Sequence, residues 1–317
     1  MKSRVVRFTG PGKLLITEED IPAPDDSQVL VQMKACGICQ YDKKCFLDTE
    51  LNPSYSKKPG HEGVGIVREI GRKVSGLAVG DRVTSNMFGG AFADYFIANP
   101  DTLVRIPDRV DNFELWVSEP AACVVSSLRL LRIEPGFDVV LLGAGYMGQL
   151  FVQAFPKTYI KLVVVDTDDE RLAMASENGA DITVNPERDG LGTVREIFPR
   201  GADLVVEAVG LPGLIKQGTD MLRNAGRLCI FGHHAADETV PTDDWHMKGI
   251  EVLNTTPFSS ADFHRDLSGA VKLMEKGVIN QSGLISKTYA LSELAGALRE
   301  LASGRCRFMK TAVRNEK

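Results

Sequence analysis

Three features of this sequence predict a two-domain α/β protein, one domain β-rich and the other a doubly wound parallel sheet. At 317 residues the chain exceeds the usual size of a single domain. Up to about residue 115 it reads as short strands and turns, whereas from residue 138 onward apolar strands alternate with helical patterns. At the end of the first apolar strand, Gly143, Gly145 and Gly148 stand in the G-x-G-x-x-G spacing that opens a dinucleotide-binding helix.

The β-rich part carries VRFTG, KLLITEED, QVLVQMKACG, EGVGIVREIG and AFADYFIA. These runs of β-branched and aromatic residues are parted by turn-forming stretches such as IPAPDD and KKPG. The second part, about 120 to 260, places DVVLLGAG, KLVVVD, DITVN, ADLVVEAVG, GRLCIFG and IEVLNTTPF as strands, with ERLAMASENGA and PGLIKQGTDMLRNA as helices between them. Uniformly apolar strands separated by helices indicate a parallel sheet covered on both faces. The tail adds a helix (DFHRDLSGAVKLMEKGV), a strand near LISKTYA, a second helix (LSELAGALRELASG) and a last apolar stretch, FMKTAV. Too short to fold alone, it is expected to pack onto one of the other two parts.

Composition excludes several classes. A net charge of −5 with scattered Lys and Arg offers no basic field for nucleic acid. No apolar run reaches bilayer length and MKSRVVRFTGPG lacks a leader's apolar core, so a cytoplasmic, membrane-free protein is expected. The six cysteines are irregularly spaced, as reduced thiols or metal ligands would be.

In the glycine fingerprint, Gly143 permits the tight turn, Gly145 lets a pyrophosphate approach the backbone, and Gly148 lets helix and strand pack closely. Tyr146 and Met147 would start the helix whose free N–H groups hold the anion. Asp166, eighteen residues after Gly148, ends KLVVVD where an acid accepts hydrogen bonds from a ribose 2′-OH. NAD is therefore expected over NADP, with Arg171 the nearby residue that could instead receive a 2′-phosphate. Val209 and Gly210 in VEAVG, and Phe231 and Gly232 in IFG, end later strands on the same edge and are candidate cofactor contacts.

The β-rich part supplies a different chemistry. CGICQYD offers Cys36 and Cys39, GHE offers His61 and Glu62, and SEP offers Glu119. Soft sulfur, imidazole and carboxylate suit zinc, and three protein ligands with one open position make a catalytic site. Spacing alone leaves other readings open: a Cys-x-x-Cys can be a redox pair or half a zinc ribbon, and a lone turn histidine can be structural.

Taken together, KACGICQYD, KPGHEGVGIV, GDRV at 80 to 83, SEPAA and GAGYMG resemble the zinc-containing branch of the medium-chain dehydrogenase/reductase family. That branch includes alcohol, sorbitol and threonine dehydrogenases, and the resemblance runs along essentially the whole chain. It implies a GroES-like catalytic domain of residues 1–119 and 261–317, joined to a Rossmann NAD-binding domain of residues 120–260, with the active site in the cleft. It implies Cys39, His61 and Glu119 as zinc ligands, Glu62 as the acid beside the metal able to exchange into its shell, and Asp42 as the acid that orients His61. Many relatives carry a four-cysteine lobe holding a second zinc. Here TSNMFGG replaces it and no cysteine lies between Cys45 and Cys123, so one zinc per chain is expected.

Two positions depart from the family pattern. Where relatives carry a Ser or Thr proton relay, and often a histidine three residues on, this chain has Tyr41 and Lys44. Tyr41 is expected to contact substrate or replace the relay, with packing as the alternative. Cys36 is read as packing. Cys123 shares a helical face with Glu119 and is a competing ligand or a buried thiol. Cys45, Cys229 and Cys306 receive no function. His233 and His234 lie on the cofactor edge, while Trp245, His246 and His264 carry no motif.

The expected activity is hydride transfer between a secondary alcohol (a polyol, sugar, cyclitol or amino alcohol) and NAD(H), in a homodimer or homotetramer joined through an edge such as IEVLNTTPF. The alternatives are a zinc-free NADPH-dependent quinone or enoyl reductase of the same superfamily and a catalytically inactive dinucleotide-sensing protein.

Overall fold

The computed structural model describes residues 1–304 and 309–316; Cys306 and the first residue of FMKTAV lie outside them. The chain forms two compact units, Met1–Pro120 with Leu267–Lys317, and Ala121–Asp266.

The first unit holds strands β1 (Lys2–Gly10), β2 (Lys13–Asp20) and β3 (Val29–Ile38), helices α1 (Gln40–Leu47) and α2 (Pro53–Lys57), and strands β4 (Glu62–Ile70), β5 (Arg82–Ser85), β6 (Tyr95–Ala98) and β7 (Leu103–Arg105). Helix α3 (Glu119–Leu131) begins at its end. The second unit holds β8 (Asp138–Leu142), α4 (Tyr146–Ala154), β9 (Lys161–Val165), α5 (Asp169–Glu177) and β10 (Ile182–Val184). It continues with α6 (Pro186–Asp189), α7 (Gly192–Ile197), β11 (Ala202–Glu207), α8 (Leu214–Met221), β12 (Leu222–Ile230), α9 (Thr242–Lys248) and β13 (Glu251–Asn254). After α10 (Phe263–Glu275), the tail returns to the first unit with β14 (Ile285–Ala290), α11 (Leu294–Ala302) and β15 (Lys310–Arg314).

In the first unit β1 and β2 form a hairpin, and a larger sheet runs β14-β15-β3-β4-β5-β7, with β6 also on β3. Strand β15 is antiparallel to β3, pairing Thr311 with Ile38, so the tail completes the sheet that the first 105 residues begin. Along β3 almost every residue is buried. That is why QVLVQMKACG is mostly apolar rather than strictly alternating, as suits a strand covered on both faces. The core joins Val29, Val31, Met33, Phe46, Phe92 and Phe96 with Leu294 and Leu298 of α11.

The second unit is a parallel sheet of order β10-β9-β8-β11-β12-β13. This is the doubly wound dinucleotide-binding order, with its switch point beside β8, the strand that leads into the glycine fingerprint. The core draws Val140, Leu142, Val163, Val165, Val205 and Leu228 from successive strands, with Ile215 of α8 against them.

Several boundaries differ from the sequence pattern. Leu222–Ala225, assigned above to a helix, already belongs to β12. Leu222 pairs with Ala202 of β11, and Ala225 takes a left-handed φ of 54° that no helix continues through. IEVLNTTPF forms a strand only as far as Asn254, because Pro257 begins a short 3-10 turn. Helices α1, α2 and α9 are too short for a periodic signal. No helix among the described residues is long and apolar enough to cross a membrane.

Candidate functional site

In the first unit, the ends of two neighbouring strands bring three candidate ligands together. Cys39 follows β3 and stands at the N-terminus of α1, where its backbone N–H donates to Asp42 Oδ2 at 2.7 Å. Glu62 opens β4 with His61 immediately before it, and Gly37 of β3 pairs with Glu62. The ligand atoms of Cys39, His61 and Glu62 lie within 4.8 Å of one another. His61 Nε2 is 3.8 Å from Glu62 Oε1. Glu119, the first residue of α3, is outside that cluster of three, yet its charge acts on His61.

The glycines around the cluster are there for room. A Cβ on Gly37 would sit 1.9 Å from Glu62 Oε2, and one on Gly60, at φ 91°, would sit 2.5 Å from the Phe92 nitrogen. The KPGHEG turn thus needs a left-handed glycine to deliver His61 beside a packed backbone.

Glu62 is buried and held by Lys310 of β15, whose Nζ lies 2.6 Å from the carboxylate. Sequence reasoning missed this lysine. The signal was its place in the otherwise apolar FMKTAV, where an inward charge needs a partner. Burial opposes protonation of His61, but Cys39, Asp42 and Glu119 together overcome it and hold the imidazole well above its usual range. The surroundings of His61 are therefore anionic and favour a cation. A thiol, an imidazole and carboxylates in this setting fit zinc chemically.

In the second unit, the fingerprint glycines divide by role. Gly143 has a φ of 99°, and a Cβ there would meet Val209 Cγ2 at 2.5 Å. A Cβ on Gly148 would meet the Gly143 carbonyl oxygen at 2.0 Å, whereas one on Gly145 meets nothing within 4 Å. Gly145 is thus the open position over the start of α4, with Tyr146 buried and Met147 half-buried in its first turn. Asp166 directly follows β9 and accepts the backbone N–H of Ala144 at 2.7 Å and of Asp168 at 2.9 Å, tying the glycine turn to the acid. Arg171 leans on Asp168, its Nε 3.7 Å from Oδ2.

Val209, Gly210, Phe231 and Gly232 gather around buried Glu207. Its Oε1 accepts the N–H groups of Val209 and Gly210 at 2.7 Å each, and its carbonyl accepts those of Phe231 and Gly232 at 2.9 Å. His234 bridges from Glu207, at 2.8 Å, to Glu238, at 2.6 Å. That makes it a structural tie between the two strand-end loops.

A family model described as "Alcohol dehydrogenase GroES-like domain" matches residues 25–108, and one described as "Zinc-binding dehydrogenase" matches residues 147–276. A sorbitol dehydrogenase of Halalkalibacterium halodurans is 29% identical, over 96% of this chain and 97% of its own length. An alcohol dehydrogenase of a Moraxella species is 28% identical, over 90% and 93%. The chain belongs to the zinc-type medium-chain dehydrogenase/reductase family. The crystal structure of 2R,3R-butanediol dehydrogenase from Bacillus subtilis shares the fold, with a TM-score of 0.85 at 22% identity over 98% of this chain and 99% of that one. As a member of this medium-chain family, with GroES-like and Rossmann folds, the protein is an oxidoreductase.

In this family member, Asp42 does not reach His61 directly. Asp42 Oδ1 is 3.9 Å from His61 Nδ1, too far for a hydrogen bond. Between them stands Tyr55 of α2, whose hydroxyl bonds to Asp42 Oδ1, lies 2.6 Å from His61 Nδ1 and accepts the Gly60 N–H at 3.1 Å. Burial, reinforced by Asp42, pushes the Tyr55 phenol well above its usual range, and burial also raises the Asp42 carboxyl. Sequence reading gave Tyr55 no role; its sole signal was a tyrosine six residues before the histidine.

The Tyr41 ring stands edge-on to Tyr55 and His61, with centroids at 5.1 and 6.4 Å. Its hydroxyl accepts from Asn52 Nδ2 at 2.9 Å and also interacts with the Cys45 side chain. Lys44 lies half-buried on α1, three residues further on. Cys36 and Cys45 are fully buried in the core, and burial drives the Cys36 thiol well above its usual range, so both pack. Cys123 is buried on α3, and Cys229 is buried against Thr255.

Proposed function

We propose that this protein is an NAD-dependent dehydrogenase of secondary alcohols of the polyol class, working with one zinc per chain. The observation that carries this reading is the convergence of Cys39, His61 and Glu62 within 4.8 Å, with the Glu119 charge bearing on the same imidazole. Cys39, His61 and Glu119 would hold the ion and Glu62 would stand beside it. Zinc, when bound, lowers the pKa of a coordinated alcohol and polarises a carbonyl in the reverse direction.

The chain's own groups have separate tasks. Lys310 holds Glu62 in place through their buried ion pair. Tyr41 offers its ring as a wall near His61, which narrows the pocket where smaller side chains would leave space. Lys44 is a candidate to steer a hydroxylated substrate near that wall. In the second unit, Gly143, Gly145, Tyr146, Met147 and Gly148 would receive the pyrophosphate of NAD. Asp166 would accept the ribose hydroxyls and disfavour a 2′-phosphate, and Val209, Gly210, Phe231 and Gly232 would line the rest of the cofactor.

A polyol substrate is supported by the carboxylate in the ligand set and by the sorbitol dehydrogenase among the relatives. Strand β13 ends the second sheet with a partner on one side only, which supports a homodimer or homotetramer assembled through that edge. The test is NADH formation across a panel of sugar alcohols and cyclitols, before and after chelation. Chelator-sensitive turnover of at least one polyol supports the reading. Chelator-resistant reduction of a quinone or enone with NADPH, and no alcohol oxidation, would replace it with the zinc-free reductase.

A further inference from the structure

We propose that Tyr55 is the positioning residue that fixes which nitrogen of His61 faces the metal, and that Asp42 acts on the metal site through it. This inference rests on the zinc reading above.

Hydrogen-bond counting makes the case. A phenol has one proton to give and can accept two hydrogen bonds. Three groups surround the Tyr55 hydroxyl: the Gly60 N–H, Asp42 Oδ1 and His61 Nδ1. The Gly60 N–H can only donate and an ionised Asp42 can only accept, so the Tyr55 proton goes to Asp42. The remaining place on the phenol oxygen is an acceptor, and His61 must fill it with an Nδ1–H. Nε2 is then left with its lone pair facing Cys39 and Glu62, from which a metal would be bound.

Were Tyr55 to donate to His61 instead, two acceptors would compete for one proton and the buried Asp42 carboxylate would lose its partner, a costly arrangement. Tyr55 is itself buried, and its ring is braced edge-on by Tyr41. The phenol therefore holds one geometry, as partners that set the orientation of a ligand histidine must. Its position on α2 is set in turn by Asn52, which caps that helix by accepting the Tyr55 N–H at 3.0 Å and binds Tyr41 with its other end. The hydroxyl of Tyr55 is thus held from three sides.

The experiment measures zinc affinity by chelator competition for four proteins: wild type, Tyr55→Phe, Asp42→Asn and the double variant. Loss of such a partner is expected to weaken zinc binding by about 10- to 100-fold in Tyr55→Phe. The effect of Asp42→Asn should shrink at least threefold in the Tyr55→Phe background, since its route to His61 has gone. Equal effects of Asp42→Asn in both backgrounds would overturn the proposal, as would wild-type affinity in Tyr55→Phe. Should Tyr55→Phe fail to fold, histidine-15N NMR of the zinc-loaded wild type decides: a protonated Nδ1 with zinc-bonded Nε2 supports the assignment, and the reverse overturns it. Absence of zinc binding by the wild type would instead defeat the functional reading, and the proposal with it.

Discussion

Lys310 and Glu62, 248 residues apart in the chain, meet as a buried ion pair at 2.6 Å. The pair joins β15 to the start of β4 and holds a carboxylate beside His61. Breaking it from one side leaves a buried charge uncompensated, so Lys310→Met is expected to lower unfolding free energy by about 3–5 kcal/mol. Lys310→Met with Glu62→Gln should recover most of the loss, as denaturant unfolding of the metal-free proteins would show.

Gly37→Ala tests the room made for that carboxylate. The added methyl would lie 1.9 Å from Glu62 Oε2 and 2.9 Å from Val117 Cγ1, and neither strand can move freely. Overpacking of this kind costs about 1–3 kcal/mol. The expected outcome is a lower melting temperature together with loss of alcohol oxidation, measured against unchanged dinucleotide affinity.

Gly145→Ala and Gly148→Ala should separate binding from folding. The first methyl enters open space within the protein, so the melting temperature should hold while NADH affinity falls at least tenfold by fluorescence titration. The second would overlap the Gly143 carbonyl oxygen at 2.0 Å and should destabilise the unit itself.

Asp166→Ala removes both the anchor of the Ala144 N–H and the proposed ribose acceptor. NAD affinity should fall and the preference for NAD over NADP should narrow, as read from the ratio of kcat/KM values. An unchanged ratio would remove Asp166 from cofactor selection.

Tyr41→Phe keeps the ring and removes a hydroxyl already bonded to Asn52. Turnover is expected to stay within a few-fold, whereas Tyr41→Ala should widen the substrate range by removing the wall. A large drop in kcat for Tyr41→Phe would restore the phenol as a proton relay.

The fold was legible because its signals are local and repeated. Uniformly apolar strands announced the parallel sheet, and three glycines after β8 marked the turn that Asp166 secures. Cys39, His61 and Glu62 were legible as donors because zinc chemistry needs their atom types. Lys310 and Tyr55 were not, since their importance comes from register. Lys310 reaches Glu62 because β15 pairs with β3 and β3 with β4, and Tyr55 reaches His61 because Asn52 caps a five-residue helix. Asp42 was read as the acid that orients His61, and spacing along the chain could not reveal the phenol that stands between them.

Zinc content of the purified protein tests the central claim most directly. The account predicts about one zinc per chain in the wild type, lost in Cys39→Ala with the fold retained. A wild type that oxidises polyols with NAD while holding no metal would contradict it.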